Sequence, residues 1–303
     1  MAIIPGILPP SRENWQLIAW AWQFFPLLTA VQWLTPFYPS GKTSIESRFN
    51  LSGRWAWMAM EAPGSLVLLY IFVTLPKDLG IQSLPWGNWV MVTFYTVHYF
   101  YRAIASPLLN PSMSPIHLSV FLSATTWQVL NGISLGGWLS GYGPTTDMDW
   151  AGGLYRMEIG MVVMAWALLC NLFHEDDLRE IRRAAGRRQK REMEEAKGKD
   201  KLGEKEEKKE SSYYGSGGRT DKVYMLPKNG LFRWVLYPHY LCEWVEWAGF
   251  WMIGGLHCVP ARSFLLNEIA TMLPRALQGK QWYIEKFGKD KVGERKAVIP
   301  RLL

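Results

Sequence analysis

Apolar and polar residues alternate along this chain in long blocks, far longer than the period of a helix or strand lying on a water-soluble core. Trp15 to Gly41 contains no charged residue and Ala62 to Pro76 contains none; Ala103 to Thr146 has His117 as its one residue among Asp, Glu, Lys, Arg and His. A helix needs about 20 mostly apolar residues to cross a bilayer. The blocks therefore predict an all-α, polytopic membrane bundle of about seven helices, near 15–36, 56–75, 86–107, 116–139, 154–173, 232–253 and 256–273. The last two are interrupted by Glu243, Glu246, Arg262 and Glu268. The first is read as a permanent helix, because its basic flank is thin, it exceeds a signal-peptide core and no small-residue cleavage site follows.

Lysine and arginine in the short connections set the orientation. Lys42, Arg48 and Arg54 flank the first loop, Arg102 ends the third span and a basic run opens at Arg179 after the fifth. The intervening loops hold Lys77 with Asp78, and Asp147 with Asp149. This predicts a lumenal N-terminus and a cytosolic C-terminus.

A mean hydropathy near zero conceals this architecture, since charges are concentrated in a few places, above all between Arg179 and Lys222, in a run that includes "RRAAGRRQKREMEEAKGKDKLGEKEEKKESSYYGSGGRTDK". The run has almost no large aliphatic side chains, so it predicts a solvated helix passing into a disordered linker. It divides the chain into membrane helices at 1–178 with the substrate site, a charged cytosolic insert at 179–222 and a C-terminal region at 223–303. Acids interleave with the bases, which argues against nucleic acid as a partner. The net charge of +7 suits cytosolic loops beside anionic membrane lipids. Cys170, Cys242 and Cys258 fall in predicted spans without metal-ligand spacing, so neither a metal site nor a disulfide framework is expected.

Ionisable residues at membrane depth are costly and mark function. Glu61 lies inside the second predicted span, in "RWAWMAMEAPGSLVLLY"; an isolated carboxyl in so apolar a setting is expected to stay protonated and to donate a hydrogen bond. "HYFYR", His98 to Arg102, ends the third span, where Tyr99 and Tyr101 taken alone are what an aromatic belt contains. Asn171, Glu175, Arg179 and Arg182 follow one another at spacings of four, four and three, which places an amide, a carboxylate and two guanidiniums on one helix face. That set suits ribose hydroxyls and phosphates. In "YPHYLCEWVEWAGFWMIGG", His239 and Glu243 are four apart with Glu246 close by. No Ser-His-Asp order, HExxH, P-loop or GxGxxG between strand and helix occurs, so a nucleotide site here is not a Rossmann domain.

Together these groups resemble the steroid 5α-reductase family, the membrane 3-oxo-5α-steroid 4-dehydrogenases. The resemblance is carried by "YMLPKNGLF" from Tyr224, YxxExxEWxGF from Tyr240, RxxxxxxWYxxKF from Arg275, "RKAVIP" from Arg295, AWxxxExP from Ala56, HYFxR from His98, the Asn131-Gly132 pair and NxxxExxLRxIR from Asn171. It implies an oxidoreductase of the endoplasmic reticulum membrane that uses NADPH to reduce the C4–C5 double bond of a 3-oxo-Δ4 steroid or a sterol-derived enone. Glu61 and Tyr99 are then the hydrogen-bond donors on the enone oxygen, and Trp57 packs on the lipid-soluble substrate. Asn171, Glu175, Arg179, Arg182, Tyr224, His239, Glu243, Arg275 and Tyr283 hold the dinucleotide. Met60, His239 and Leu135 depart from the steroid branch, and Pro238-His239-Tyr240-Leu241 is closer to polyprenol and enoyl-CoA reductases. Those two substrates, one of them isoprenoid, are the alternatives within the same chemistry; a membrane isoprenylcysteine-type methyltransferase and a non-catalytic scaffold are more distant ones.

Overall fold

A computed structural model describes residues 4–34, 41, 46–151, 153, 155–203 and 224–303. The helices are α1 (Arg12–Trp22), α2 (Phe25–Leu28), α3 (Val31–Leu34), α4 (Gly53–Asp78), α5 (Trp86–Phe100), α6 (Ser106–Leu109), α7 (Leu118–Gly137), α8 (Asp147–Trp150), α9 (Arg156–Gly203), α10 (Pro238–Gly254), α11 (Val259–Phe287) and α12 (Lys289–Val292). A two-residue antiparallel pair, Asn50–Leu51 with Ile116–His117, ties the entry of α4 to that of α7.

The protein is an all-α membrane bundle, and each expected span overlaps helix among the described residues, the first broken into α1, α2 and α3 and the sixth beginning only at Pro238. Among the described residues, two helices are long and apolar enough to cross by themselves, Gly53–Asp78 and Arg156–Arg191; the pair Arg12–Trp22 and Phe25–Leu34, bent by 47°, makes a third if counted as one span. The remainder are shorter or more polar. α10 has 17 residues, under the roughly 20 of a full crossing, and α5 gives way after 15 residues to a π-helical turn at Tyr101–Ala105.

Lipid-facing stripes follow helical spacing. On α9, Val162, Trp166, Leu169 and Phe173 are all more than half exposed, while Met164, Ala167, Asn171 and His174 on the other face are buried. With lipid outside, burying apolar area supplies little drive for association, so helices meet through close backbone packing. Glycines make that possible. A Cβ on Gly249 of α10 would lie 2.7 Å from Met164 N of α9, and one on Gly132 of α7 would lie 2.7 Å from Gly64 O of α4. These two helix pairs form the most extensive packing in the bundle.

The interior is aromatic. Trp247 stands with its ring centroid 4.1 Å from Phe264, and Tyr95 lies 4.6 Å from Tyr99. α10 runs through this interior, burying Cys242, Glu243, Trp244, Glu246, Trp247 and Phe250. The C-terminal tail returns to its foot: Leu236 N and Tyr237 N donate to the carbonyls of Lys296 and Ala297, both at 2.9 Å. Arg295 secures the junction through Pro227 O at 2.9 Å and Lys291 O at 2.6 Å.

The helical part of the charged insert is continuous with α9 as far as Gly203. The disordered linker expected after it lies outside the described residues. The three cysteines are free, with Cys242 and Cys258 buried.

Candidate functional site

A cavity of about 600 Å³ opens where α9, α10 and α11 diverge, and its walls include Trp57, Glu175, Arg179, Arg182, Tyr224, His239, Arg275 and Tyr283. Seven of the nine residues expected at the dinucleotide thus share one cavity, together with the tryptophan expected at the substrate. The volume lies within the roughly 300–1,000 Å³ of small-molecule sites. Helical spacing explains the convergence. Glu175, Arg179 and Arg182 project from successive turns of α9, and Arg275 and Tyr283 lie eight apart on α11, so each helix presents one polar stripe to the same space.

The wall is organised by ion pairs and hydrogen bonds. Glu175 Oε2 accepts from Tyr101 Oη at 2.8 Å, Ser106 Oγ at 3.1 Å and Arg179 Nη2 at 2.9 Å. Arg179 also pairs with Asp176 at 3.2 Å and contacts the Tyr101 hydroxyl. Arg182 Nη1 donates to Asn110 Oδ1 at 2.6 Å, and Arg54 Nη2 donates to the Asn110 carbonyl at 2.7 Å. Burial pushes the Tyr283 hydroxyl up to about 12, with Arg182 and Arg295 pulling against it, so Tyr283 is a hydrogen-bond donor at neutral pH. Three guanidiniums, tyrosine hydroxyls and the rings of Tyr224, Tyr240 and Trp282 fit an anionic ligand that also carries aromatic rings and sugar hydroxyls.

Asn171 and Glu243 are buried but do not line the cavity. Glu243 belongs instead to a second polar region, behind Trp57. Arg102 stacks its guanidinium 5.4 Å from the Trp57 ring centroid, and Trp57 Nε1 donates to Arg102 O at 3.1 Å. Arg102 then bridges two carboxylates, with Nη1 at 2.9 Å from Glu243 Oε1 and Nε at 3.3 Å from Glu61 Oε1. His98 Nδ1 lies 2.6 Å from Glu246 Oε1, and its Nε2 is 3.8 Å from Glu243 Oε1. Gln128 Nε2 donates to Glu61 Oε2 at 2.5 Å. Tyr99 is fully buried beside Tyr95, whose hydroxyl accepts from Asn131 Nδ2 at 3.1 Å.

This geometry corrects the expectation of a solitary Glu61. Its two oxygens face Arg102 and Gln128, residues brought from α7 and from the π turn after α5. A carboxyl with donors on both oxygens acts as an acceptor, so its setting is not the apolar isolation that the second span implies by itself. Sequence reasoning also missed Arg102, Gln128, Tyr101, Ser106 and Asn110. Tyr101 was assigned to the interfacial aromatics. Signals existed for Arg102, a cation at the end of an apolar span, and for Gln128, an amide inside one.

Comparison with known proteins gives a consistent result. A family model described as 3-oxo-5-alpha-steroid 4-dehydrogenase matches residues 218–303. An uncharacterized protein of Schizosaccharomyces pombe is 34% identical over 281 residues, which cover 88% of this chain and 91% of that protein. Steroid 5-alpha-reductase DET2 of Solanum lycopersicum is 28% identical, with 92% of each chain covered. The 3-oxo-5-alpha-steroid 4-dehydrogenase 1 of Bos taurus is 27% identical, with 88% of each covered.

Proposed function

The chain belongs to the steroid 5α-reductase family of membrane oxidoreductases, and on that premise we propose that it reduces the C4–C5 double bond of a 3-oxo-Δ4 steroid or sterol-derived enone with NADPH. The observation that carries this reading is the junction at Trp57. A cavity with guanidiniums and aromatic rings ends at that side chain, and the Arg102, Glu61 and Tyr99 cluster begins behind it. A dinucleotide held in the first can meet a lipid-soluble enone held in the second.

When bound, NADPH supplies a hydride for the β-carbon of the enone, and a proton from solvent completes the addition of two hydrogens. The residues proposed to hold it are Glu175, Arg179, Arg182, Tyr224, His239, Arg275 and Tyr283, with the arginines on phosphate. Asn171 and Glu243 support that wall from behind rather than line it. As the double bond is reduced, negative charge develops on the carbonyl oxygen. Tyr99 donates a hydrogen bond there, and Arg102, held by Glu61 and Glu243, supplies positive charge close by; such preorganised donors and charges are worth most in a site closed to water. Trp57 packs on the rings of the substrate. We place the protein in the endoplasmic reticulum membrane with the cavity and C-terminus cytosolic, which the distribution of lysine and arginine supports.

The test is NADPH consumption by microsomes carrying the protein, with testosterone or progesterone as substrate and mass spectrometry for a gain of two hydrogens. The expected result is a steroid-dependent signal that Glu61→Gln lowers by about 10²-fold or more. Folded protein with no steroid signal, but with turnover of a polyprenol or a trans-2-enoyl-CoA, would replace the steroid by one of those substrates.

A further inference from the structure

His174 of α9 is buried, 4% exposed, and stands outside the cavity that its neighbour Glu175 lines. Both of its ring nitrogens are engaged. Nδ1 lies 2.7 Å from Cys170 O, one turn back on the same helix, and Nε2 accepts from the backbone N–H of Leu231 at 3.2 Å. A carbonyl can only accept and a backbone amide can only donate, so the neutral ring with its proton on Nδ1 satisfies both partners.

Leu231 belongs to the turn "NGLF", 229–232, which is shaped to reach that nitrogen. Gly230 has φ +52°, and a Cβ there would stand 3.0 Å from His174 Nε2 and 3.2 Å from Phe173 Cε1, so a glycine lets the backbone close on the ring. Phe232 is fully buried, with its ring centroid 5.6 Å from the imidazole. Asn229 Nδ2 donates to Asp177 Oδ1 at 2.6 Å, three residues further along α9. That second tie lies at the surface, whereas the bond to His174 lies inside.

The two flanks of this turn are cavity wall. Tyr224 and Met225 line the cavity before it, and Tyr237 and His239 line it after. The turn therefore sets where both flanks stand relative to Glu175 and Arg179 on α9. A buried amide N–H left without an acceptor is costly, so a turn deprived of the imidazole moves off α9 to find one, and the walls part with it. We propose that His174 is a positioning residue for the dinucleotide, a role that rests on the reductase reading. By accepting from Leu231 N, it holds the flanks of the turn at the spacing the ligand needs. It touches neither ligand nor reacting atoms, so its effect falls on cofactor affinity and leaves the chemical step alone.

The experiment compares the full-length wild type with His174→Asn and His174→Gln in detergent micelles. It measures Tm, amide exchange at Leu231 and Phe232 without cofactor, NADPH Kd, and kcat with progesterone at saturating NADPH. The asparagine amide can keep the bond to Cys170 O but is too short to reach Leu231 N; the longer glutamine can place its oxygen where Nε2 stood. His174→Asn is expected to speed exchange and to weaken NADPH, each by about tenfold, the scale of one buried N–H losing its acceptor, with kcat within about twofold. His174→Gln should bring both back to within about threefold of wild type. A role in packing alone would lower Tm and kcat together and treat the two amides alike. The proposal is overturned if His174→Asn keeps NADPH Kd within about twofold of wild type, if affinity falls while exchange at Leu231 is unchanged, or if His174→Gln loses as much as His174→Asn. Should His174→Asn not fold, His174→Gln decides alone, and NADPH binding about tenfold weaker than wild type overturns the proposal. A folded wild type that does not bind NADPH removes the reductase reading and this role with it, which differs from a wild type that binds NADPH and is indifferent to His174.

Discussion

The outer cavity and the inner cluster meet at Trp57, yet they accommodate charge in opposite ways. In the cavity, Arg179 is answered by two neighbours on its own helix, Glu175 and Asp176, and the space beside it is open to a ligand. In the cluster, three carboxyls, Glu61, Glu243 and Glu246, share Arg102 and His98, and all three are buried. Arg179 is itself buried, but its partners Glu175 and Asp176 are more exposed, and pairs with exposed acids contribute little to stability, whereas a buried acid that loses its partner is strongly destabilising. The difference teaches that the wall presents its polar groups to an open cavity, while the acids of the cluster are held by the cluster's own members.

The most severe challenge to that contrast is Arg102→Ala. It strands Glu61 and Glu243 together, so we expect a loss of about 3–5 kcal/mol, seen as a large drop in Tm, and no measurable turnover. A change confined to activity, with Tm intact, would mean that the cluster is not held by its central cation.

Glu61→Gln comes next. It preserves shape but weakens the hold on Arg102, and turnover should fall about 10²-fold or more with NADPH affinity nearly unchanged. Steady-state kinetics alongside cofactor titration separates the two effects; unchanged turnover removes Glu61 from the site.

A milder and opposite pattern is expected at the wall. Arg182→Ala should leave Tm nearly unaltered but weaken NADPH by about tenfold, and more than NADH if Arg182 meets the 2′-phosphate. Equal loss for both dinucleotides would move that assignment to another arginine.

The smallest effect is expected far from both regions, in the turn before α8. Asp149 Oδ2 accepts from Thr145 N, Thr146 N and Thr146 Oγ1, each at 2.9 Å. These bonds, led by the Thr145 amide, hold its carboxyl below the usual aspartate range. Because the folded value is depressed, the stabilisation is complete above the unfolded value of about 3.9 and is lost as pH falls through the folded value. Amide exchange at residues 145–150 should therefore be protected at neutral pH and rise only in strong acid; Asp149→Asn should remove the pH dependence.

Most of the outer cavity was legible in the chain, because its members repeat at helical spacing. Glu175, Arg179 and Arg182 lie on one face of α9 whatever that helix packs against, and Arg275 and Tyr283 do the same on α11. Asn171 has the same spacing yet faces protein, since the cavity begins one turn further along α9. The inner cluster was legible only as separate polar residues. Glu61, His98, Gln128 and Glu243 come from α4, α5, α7 and α10, and no spacing within one helix reports a contact between four.

The sequence by itself determined the membrane bundle, the approximate helix limits, the family and the polar stripes that line the cavity, because apolar block length and helical period are local properties. Only the tertiary structure decided that Glu61 is shared with Arg102 and Gln128 and that Glu243 pairs with Arg102 instead of lining the cavity. Partnership between buried charges depends on distances of a few ångströms between helices far apart in the chain, and those distances are set by packing, here by backbones brought together at glycines.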